Sequence, residues 1–184
     1  MQEFWINDKN GMPYFYVTGQ LNEKVLEMLD KHIIPALRNE MPCKYSEQEL
    51  HNDPCLARFT VVFDREAYSP VFFQKLWDDY RIAVLTYRKN VKDLWDENDF
   101  AEYEVEIEGN TSKMQLAEKT VELNGVPMRE VRRLCDGHQT SVITTNWMNL
   151  AIKKLIPLLN ECETVYSGTN LILNYQIATW VLRQ

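Results

Sequence analysis

The first third of the chain combines two short apolar runs with one helical stripe. Residues 3–7 and 13–18 are rich in aromatic and β-branched residues and flank Asp8-Lys9-Asn10-Gly11, which predicts a β-hairpin with Pro13 at the start of its second strand. Apolar residues at helical spacing predict a helix over 21–38 that Pro35 ends or kinks. The polar stretch 39–55, with two prolines, predicts a loop.

The next pattern predicts a strand, a helix and a strand within about 30 residues, the length of a βαβ unit. The run Arg58-Phe-Thr-Val-Val-Phe63 is typical of a buried strand and stops at Asp64. Ser69 and Pro70 suit the N-cap and first position of a helix, and residues 82–86 form a second buried-strand pattern. The unit predicts a parallel pair of strands.

Strict alternation of apolar residues and glutamates over 101–108 predicts a half-buried antiparallel strand with a solvated glutamate face. Further strands are predicted over 113–123, 126–135 and 139–145, with a turn at Asn124-Gly125. After them, Asn146 is predicted to cap a helix, and a largely buried last helix is predicted over 169–182. The resulting division is a core over 1–92, a β-rich insertion over 93–145 and C-terminal helices over 146–184, in a mixed α/β fold.

Composition narrows the class of protein. The 184 residues are 45% hydrophobic and 26% charged, which is typical of a soluble globular domain. No run approaches the roughly 20 apolar residues of a membrane span, and the N-terminus does not resemble a signal peptide. The four cysteines form no CxxC pair or zinc spacing, so we expect reduced thiols and a cytoplasmic protein.

The net charge of −7 counts against a stand-alone nucleic-acid binder, although a catalytic core can rely on another domain for DNA affinity. Two basic clusters interrupt the acidic background, one at Arg88, Lys89 and Lys92 and one at Arg129, Arg132 and Arg133. Clusters of this kind are predicted to be solvated faces unless they lie beside a catalytic group.

Asp64 is the residue whose position best suits chemistry. In open α/β sheets, functional groups gather outside the carboxyl ends of the strands, and a carboxylate there can hold a divalent metal. From spacing alone, an aspartate that begins a turn or caps a helix explains the pattern equally well. Tyr68, four residues later, is predicted to pack under the helix.

Four segments resemble blocks of the DDE-type transposases. They are Trp5-Ile-Asn-Asp8-Lys-Asn-Gly11-Met-Pro13, Thr60-Val-Val-Phe-Asp64-Arg65-Glu-Ala-Tyr68-Ser-Pro70, Ile82-Ala-Val-Leu-Thr-Tyr87-Arg88-Lys89 and His138-Gln-Thr-Ser-Val-Ile-Thr-Thr-Asn146. The resemblance covers roughly residues 4–146 in the right order. It implies an RNase H-like core, which is a mixed sheet flanked by helices, with an inserted antiparallel β subdomain. It also implies DNA as partner and three acids that bind two Mg²⁺ or Mn²⁺ ions.

By that resemblance, Asp64 is the second acid of the set, and is assigned as the catalytic and metal-binding residue. Arg65, Arg88 and Lys89 are assigned to contacts with DNA phosphates. The chain departs from the family pattern at the other two acids. Thr18 stands at the strand position comparable to that of the first, and no Arg/Gln-Glu-Asn-Phe-Phe string supplies the third.

Three hypotheses follow. The first is a truncated transposase fragment whose incomplete site leaves it inactive by itself. The second is an active nuclease in which Asp8, Asp53, Glu161 or Glu163 converges on Asp64. The third is a non-catalytic α/β interaction domain, which the acidic net charge favours. The oligomeric state stays open, including a homodimer.

Overall fold

A mixed nine-stranded sheet organises the molecule. The computed structural model describes residues 2–8, 12–19, 24–63, 68–88, 91–107, 109–158 and 179–182. The strand order is β2-β1-β9-β3-β4-β8-β7-β6-β5. The strands are β1 (Gln2–Asp8), β2 (Pro13–Gly19), β3 (Phe59–Phe63), β4 (Ile82–Tyr87), β5 (Ala101–Ile107), β6 (Asn110–Leu123), β7 (Val126–Cys135), β8 (His138–Thr145) and β9 (Thr179–Leu182).

Helices cover parts of this sheet, which confirms the predicted mixed sheet with flanking helices. They are α1 (Val25–Met28), a π-helical turn (Leu29–Ile33), α2 (Ile34–Glu40), α3 (Glu47–Asn52), α4 (Pro70–Tyr80), a 3₁₀ turn (Glu97–Asp99) and α5 (152–158). One face of the sheet buries Phe4, Val61 and Val84 with residues of α1, α2 and α4. The other face buries Val62, Leu85 and Val131 against α5.

The predicted hairpin is confirmed, since β1 and β2 pair antiparallel and Pro13 opens β2. The prediction that Pro35 ends or kinks the following helix needs correction. The chain stays helical to Glu40, and a π-helical turn over Leu29–Ile33 comes directly before α2. Proline lacks an N–H and crowds the carbonyl four residues earlier, and it is tolerated near the start of a helical segment. Pro35 lies at such a position in α2.

The loop predicted over 39–55 contains a helix, α3, and this part of the prediction was wrong. Ser46 accepts a hydrogen bond from the backbone N–H of Glu49, and the Glu49 carboxylate accepts one from the Ser46 N–H at 2.8 Å. This capping box satisfies two backbone donors that would otherwise lack partners. It stabilises a short helix inside a polar stretch, and Leu50 is buried beneath it.

The predicted βαβ unit is confirmed. β3 and β4 pair in parallel, with Phe59 opposite Ile82 and Val62 opposite Leu85. α4 connects them, and the Ser69 hydroxyl accepts from the N–H of Phe72, as expected for an N-cap.

Strands β5 to β8 form the predicted antiparallel meander. Asn124 and Gly125 both have positive φ, at 54° and 76°, which is the geometry of the tight turn predicted there. Because β8 pairs with β4, the meander continues the same sheet as the βαβ unit. The division into core, insertion and C-terminal segment stays a prediction.

Two predictions for the C-terminal part were wrong. Asn146 is buried and does not cap a helix; α5 begins at residue 152, and the Asn146 amide contacts the βαβ unit instead. The last segment is a strand over Thr179–Leu182, although a helix was predicted for 169–182. This strand lies between β1 and β3, parallel to the first and antiparallel to the second. The rest of that predicted helix lies outside the described residues.

Candidate functional site

The carboxyl ends of β3 and β4 lie at the same edge of the sheet, because the two strands are parallel. This edge is the location expected for a site in an α/β fold. Asp64 follows directly on Phe63, the last residue of β3, and Lys89 follows soon after β4. Asp64, Arg65 and Lys89 lie outside the described residues, so their assigned roles stay predictions.

Arg88 is the one described member of the predicted DNA-contacting set. Its backbone N–H donates to the carbonyl of Val142 at 2.9 Å, which extends the pairing of β4 with β8. Its guanidinium donates to the carboxylate of Glu130 at 2.6 Å, and a second carboxylate, Asp93, lies 4.0 Å away. The side chain is 22% exposed, whereas that of Glu130 is 0% exposed.

The surrounding charges hold Arg88 in its cationic form. Burial lowers the pKa of the guanidinium, but the hydrogen bond and charge of Glu130, together with Asp93, outweigh this effect. The net result is a pKa above the ordinary value. Part of the positive charge of Arg88 is therefore balanced within the protein. DNA contact by Arg88 stays a prediction.

A second arginine completes this ion-pair network. Arg132 is fully buried, and its Nε donates to Glu130 at 2.7 Å. Its terminal nitrogens donate to the backbone carbonyl and the carboxylate of Asp93, both at 2.6 Å. The guanidinium also lies over the ring of Trp95, 4.2 Å from its centroid. Arg132 thereby holds the segment that follows Arg88 against β7.

Glu130 thus accepts from two guanidiniums, one on each carboxylate oxygen. The prediction that the Arg129, Arg132 and Arg133 cluster is a solvated face was wrong for Arg129 and Arg132, which are buried. Arg129 lies on the opposite face of β7, where it pairs with Glu118. The sequence signal was the alternation of Glu130 and Arg132 within a strand whose other residues include Met128 and Val131.

Buried hydroxyls continue the polar surface toward the predicted site. Thr86 lies opposite Thr144, and Thr144 lies opposite Glu130, so the three form a row across β4, β8 and β7. Among the described residues, neither threonine hydroxyl nor the hydroxyl of Tyr68 has a hydrogen-bond partner. Tyr68 packs edge-on against Phe73, which agrees with its predicted place under the helix. The row provides oxygen donors and acceptors beside the carboxyl end of β4.

Burial raises the pKa of the Tyr68 phenol above its usual value. The nearby Thr144 hydroxyl and the positive charge of Arg88 oppose the shift, and the charge of Glu130 adds to it. Tyr68 is therefore a neutral hydroxyl at physiological pH, suited to hydrogen bonding and not to proton abstraction.

The described residues contain no group of three His, Cys, Asp or Glu side chains that could hold a metal ion. Asp8 lies level with Val61 across β9, whereas Ile6 lies level with Phe63, so β1 carries Asp8 away from the carboxyl end of β3. Asp53 accepts a hydrogen bond from the N–H of Cys55 at 2.7 Å, in the turn after α3. Glu161 and Glu163 lie outside the described residues.

Comparison with known proteins adds one match. A family model described as a transposase protein matches residues 1–153. No curated protein and no solved structure matches the chain. Within the part of the chain that the structure describes, the helices are too short or too polar to cross a membrane.

Proposed function

The chain belongs to the transposase family whose model matches residues 1–153, and we propose that it carries part of a DNA strand-transfer core of the DDE type. In this proposal the fold is RNase H-like and Asp64 binds a divalent metal at the carboxyl end of β3. The observation that carries the proposal is the parallel β3–β4 pair with α4 between its strands, since Asp64 comes directly after β3. Functional groups of α/β sheets gather at this end of the strands.

The chemistry of the proposed ligand suits the ion. Mg²⁺ and Mn²⁺ prefer oxygen ligands, and Mg²⁺ is commonly bound through one or two carboxylates together with substrate phosphates. Bound metals of this kind would activate water and stabilise the leaving oxygen in phosphoryl transfer. Thr18, at the position compared with the first family acid, is an exposed residue of β2 and offers no carboxylate.

The described residues do not complete a metal-binding set. We therefore propose that this chain by itself binds the metal weakly and does not cleave DNA efficiently. A single carboxylate leaves most coordination positions to water, and a catalytic pair of ions requires a shared clamp of ligands.

The proposed DNA contacts divide into two kinds. Arg65 and Lys89 are proposed to contact phosphates directly, since phosphate contacts position a protein on DNA. For Arg88, the ion pair with buried Glu130 favours a different role, which is to hold the turn that carries Lys89 against β7. Release of Arg88 toward a phosphate would leave Glu130 with only Arg132 as its cationic partner.

Calorimetric titration of Mn²⁺ into the wild type and Asp64→Ala tests the metal proposal. We expect weak binding, in the millimolar range or weaker, that Asp64→Ala abolishes. Asp79→Ala is the matched control, because it removes an exposed carboxylate from α4 and should leave the binding unchanged. If Asp64→Ala binds Mn²⁺ as the wild type does, Asp64 is not the ligand. Efficient Mg²⁺-dependent nicking of DNA that Asp64→Ala abolishes would contradict the proposed inactivity.

A second candidate function is a non-catalytic interaction domain within a transposase. The net charge of −7 and the internal neutralisation of Arg88 favour it. Binding of fluorescent duplex DNA as a function of salt separates the two, because phosphate contacts make affinity fall as salt rises. Salt-dependent binding that Lys89→Ala weakens supports the DNA-acting core, and the absence of both DNA and Mn²⁺ binding supports the interaction domain.

A further inference from the structure

The two edge strands of the sheet differ in how they meet solvent. β5 carries exposed Glu102, Glu104 and Glu106 on one face. β2, at the other edge, reads Pro-Tyr-Phe-Tyr-Val-Thr-Gly and has no charged residue. An edge strand presents backbone N–H and C=O groups that a further strand can pair with, and charged side chains are a common protection against such pairing. β5 has that protection and β2 does not.

The side chains of β2 also form two suitable layers. Phe15 and Val17 pack against the core, while Tyr16 is 55% exposed on the opposite face. There its ring lies beside that of Trp5, with centroids 5.2 Å apart. A strand added at this edge would extend an apolar layer on one side and an aromatic layer on the other.

We propose that β2 is the interface through which two copies of this chain associate. The two β2 strands would pair antiparallel about a two-fold axis near Tyr16, the middle residue of Pro13–Gly19, and would join two nine-stranded sheets into one. Such an interface is self-complementary, as a two-fold dimer requires.

Charge selects this edge and this occupant. Pairing two copies through β5 would bring its glutamates close to those of the second copy, and like charges opposite each other across strands are destabilising. Two β2 strands meet without charge repulsion. DNA is a poorer occupant, because β2 offers no cation to a phosphate.

Sedimentation velocity of the wild type over a range of concentrations tests the proposal. We expect a reversible dimer, and Tyr16→Lys should raise its dissociation constant by at least about tenfold, because two added cations face each other at the axis. Thr18→Lys, which keeps the contact between Trp5 and Tyr16, should weaken the dimer in the same direction. Val71→Lys is the matched control: it adds the same charge at a side chain that is 58% exposed on α4, and should leave the dimer unchanged.

Cysteine cross-linking locates the interface independently. Tyr16→Cys would place two thiols across the proposed axis, while Glu104→Cys places them at the middle of the other edge strand. Under mild oxidation we expect a covalent dimer from Tyr16→Cys, above the background of the native cysteines in the wild type, and none from Glu104→Cys. A wild type that is monomeric at all concentrations, a dimer insensitive to both lysine variants, or equal cross-linking at the two edges would overturn the proposal. Circular dichroism confirms that each variant is folded.

Discussion

β4 and β7 lie on either side of β8 and are buried along most of their length, but their residues differ sharply. β4 reads Ile-Ala-Val-Leu-Thr-Tyr and packs through apolar side chains on both faces of the sheet. β7 reads Val-Pro-Met-Arg-Glu-Val-Arg-Arg-Leu-Cys, and buries Arg129, Glu130 and Arg132.

The difference shows two ways of building a central strand. Apolar burial stabilises β4 without orienting anything beyond it. The charges of β7 are expensive to bury and stay ionised only because each has a partner. Those partners include Arg88 at the end of β4 and Asp93 beyond it, so the network of β7 positions the segment next to the proposed site.

Removal of Glu130 gives the largest expected effect. Glu130→Ala leaves Arg132 buried without its main carboxylate, and breaking such a pair costs about 3–5 kcal/mol of unfolding free energy. Urea denaturation followed by circular dichroism measures the loss. Glu104→Ala, which removes an exposed glutamate from β5, should change stability by less than about 0.5 kcal/mol.

Glu130→Gln sharpens this test, because glutamine keeps an oxygen acceptor for one arginine and removes the charge. We expect a loss between those of the wild type and Glu130→Ala. If all three proteins unfold at the same urea concentration, the network does not stabilise the fold, and the contrast between β7 and β4 has no energetic meaning.

Asn146 provides the corresponding test for β4. Its side-chain oxygen accepts from the N–H of Val84 at 2.8 Å, and its amide donates to the carbonyls of Phe73 at 2.6 Å and Ile82 at 3.1 Å. Asn146→Ala leaves these buried groups without partners, and we expect a loss of about 2–3 kcal/mol in urea denaturation. The matched control is Asn149→Ala, at an exposed position in the next turn, which should be nearly neutral.

Asn146→Asp separates hydrogen bonding from packing at the same position. Aspartate keeps the acceptor for Val84 but directs a carboxylate at two carbonyls, so it should destabilise the protein at neutral pH at least as much as alanine does. A neutral effect of both substitutions would mean that the apolar side chains of β4 suffice without this clamp.

The roles of Asn146 and β9 also show where sequence reasoning stops. The hairpin, the βαβ unit and the meander were predicted correctly because alternation, apolar runs and the Asn124-Gly125 turn are local signals. Thr179–Leu182 is a short apolar segment that suits a helix or a strand equally well. Its place between β1 and β3 decides the outcome, and that pairing is not local.

For the candidate site, the sequence predicted the strand end that precedes Asp64 and the residues assigned beside it. It did not predict that Arg88 pairs with Glu130, some forty residues away, because charge patterning within one segment does not report partners on another strand. The helix α3 is a different case. Its signal, Ser46 followed by Glu49, is local and was present in a segment interpreted as a loop.

The smallest expected effect lies at the rim of the β7 network, at Asp93. The hydrogen bond and charge of Arg132 lower the pKa of this carboxyl below its ordinary value. A depressed carboxyl pKa stabilises the folded state above the unfolded pKa of about 3.9, and the contribution is lost as the pH falls through the lower folded value. Asp93→Asn should therefore cost less than about 1 kcal/mol at pH 7, since the side chain is half exposed and its ion pairs are screened.

The same comparison made across pH identifies the charge as the cause. Thermal unfolding of the wild type and Asp93→Asn should differ at pH 7 and converge as the pH falls below the unfolded value, and 1 M salt at pH 7 should reduce the difference. A difference that stays constant from pH 7 to about pH 3 would mean that Asp93 acts through its shape and not its charge. The segment after Arg88 would then be held by the backbone carbonyl of Asp93 and by the ring of Trp95, both of which Arg132 contacts in either variant.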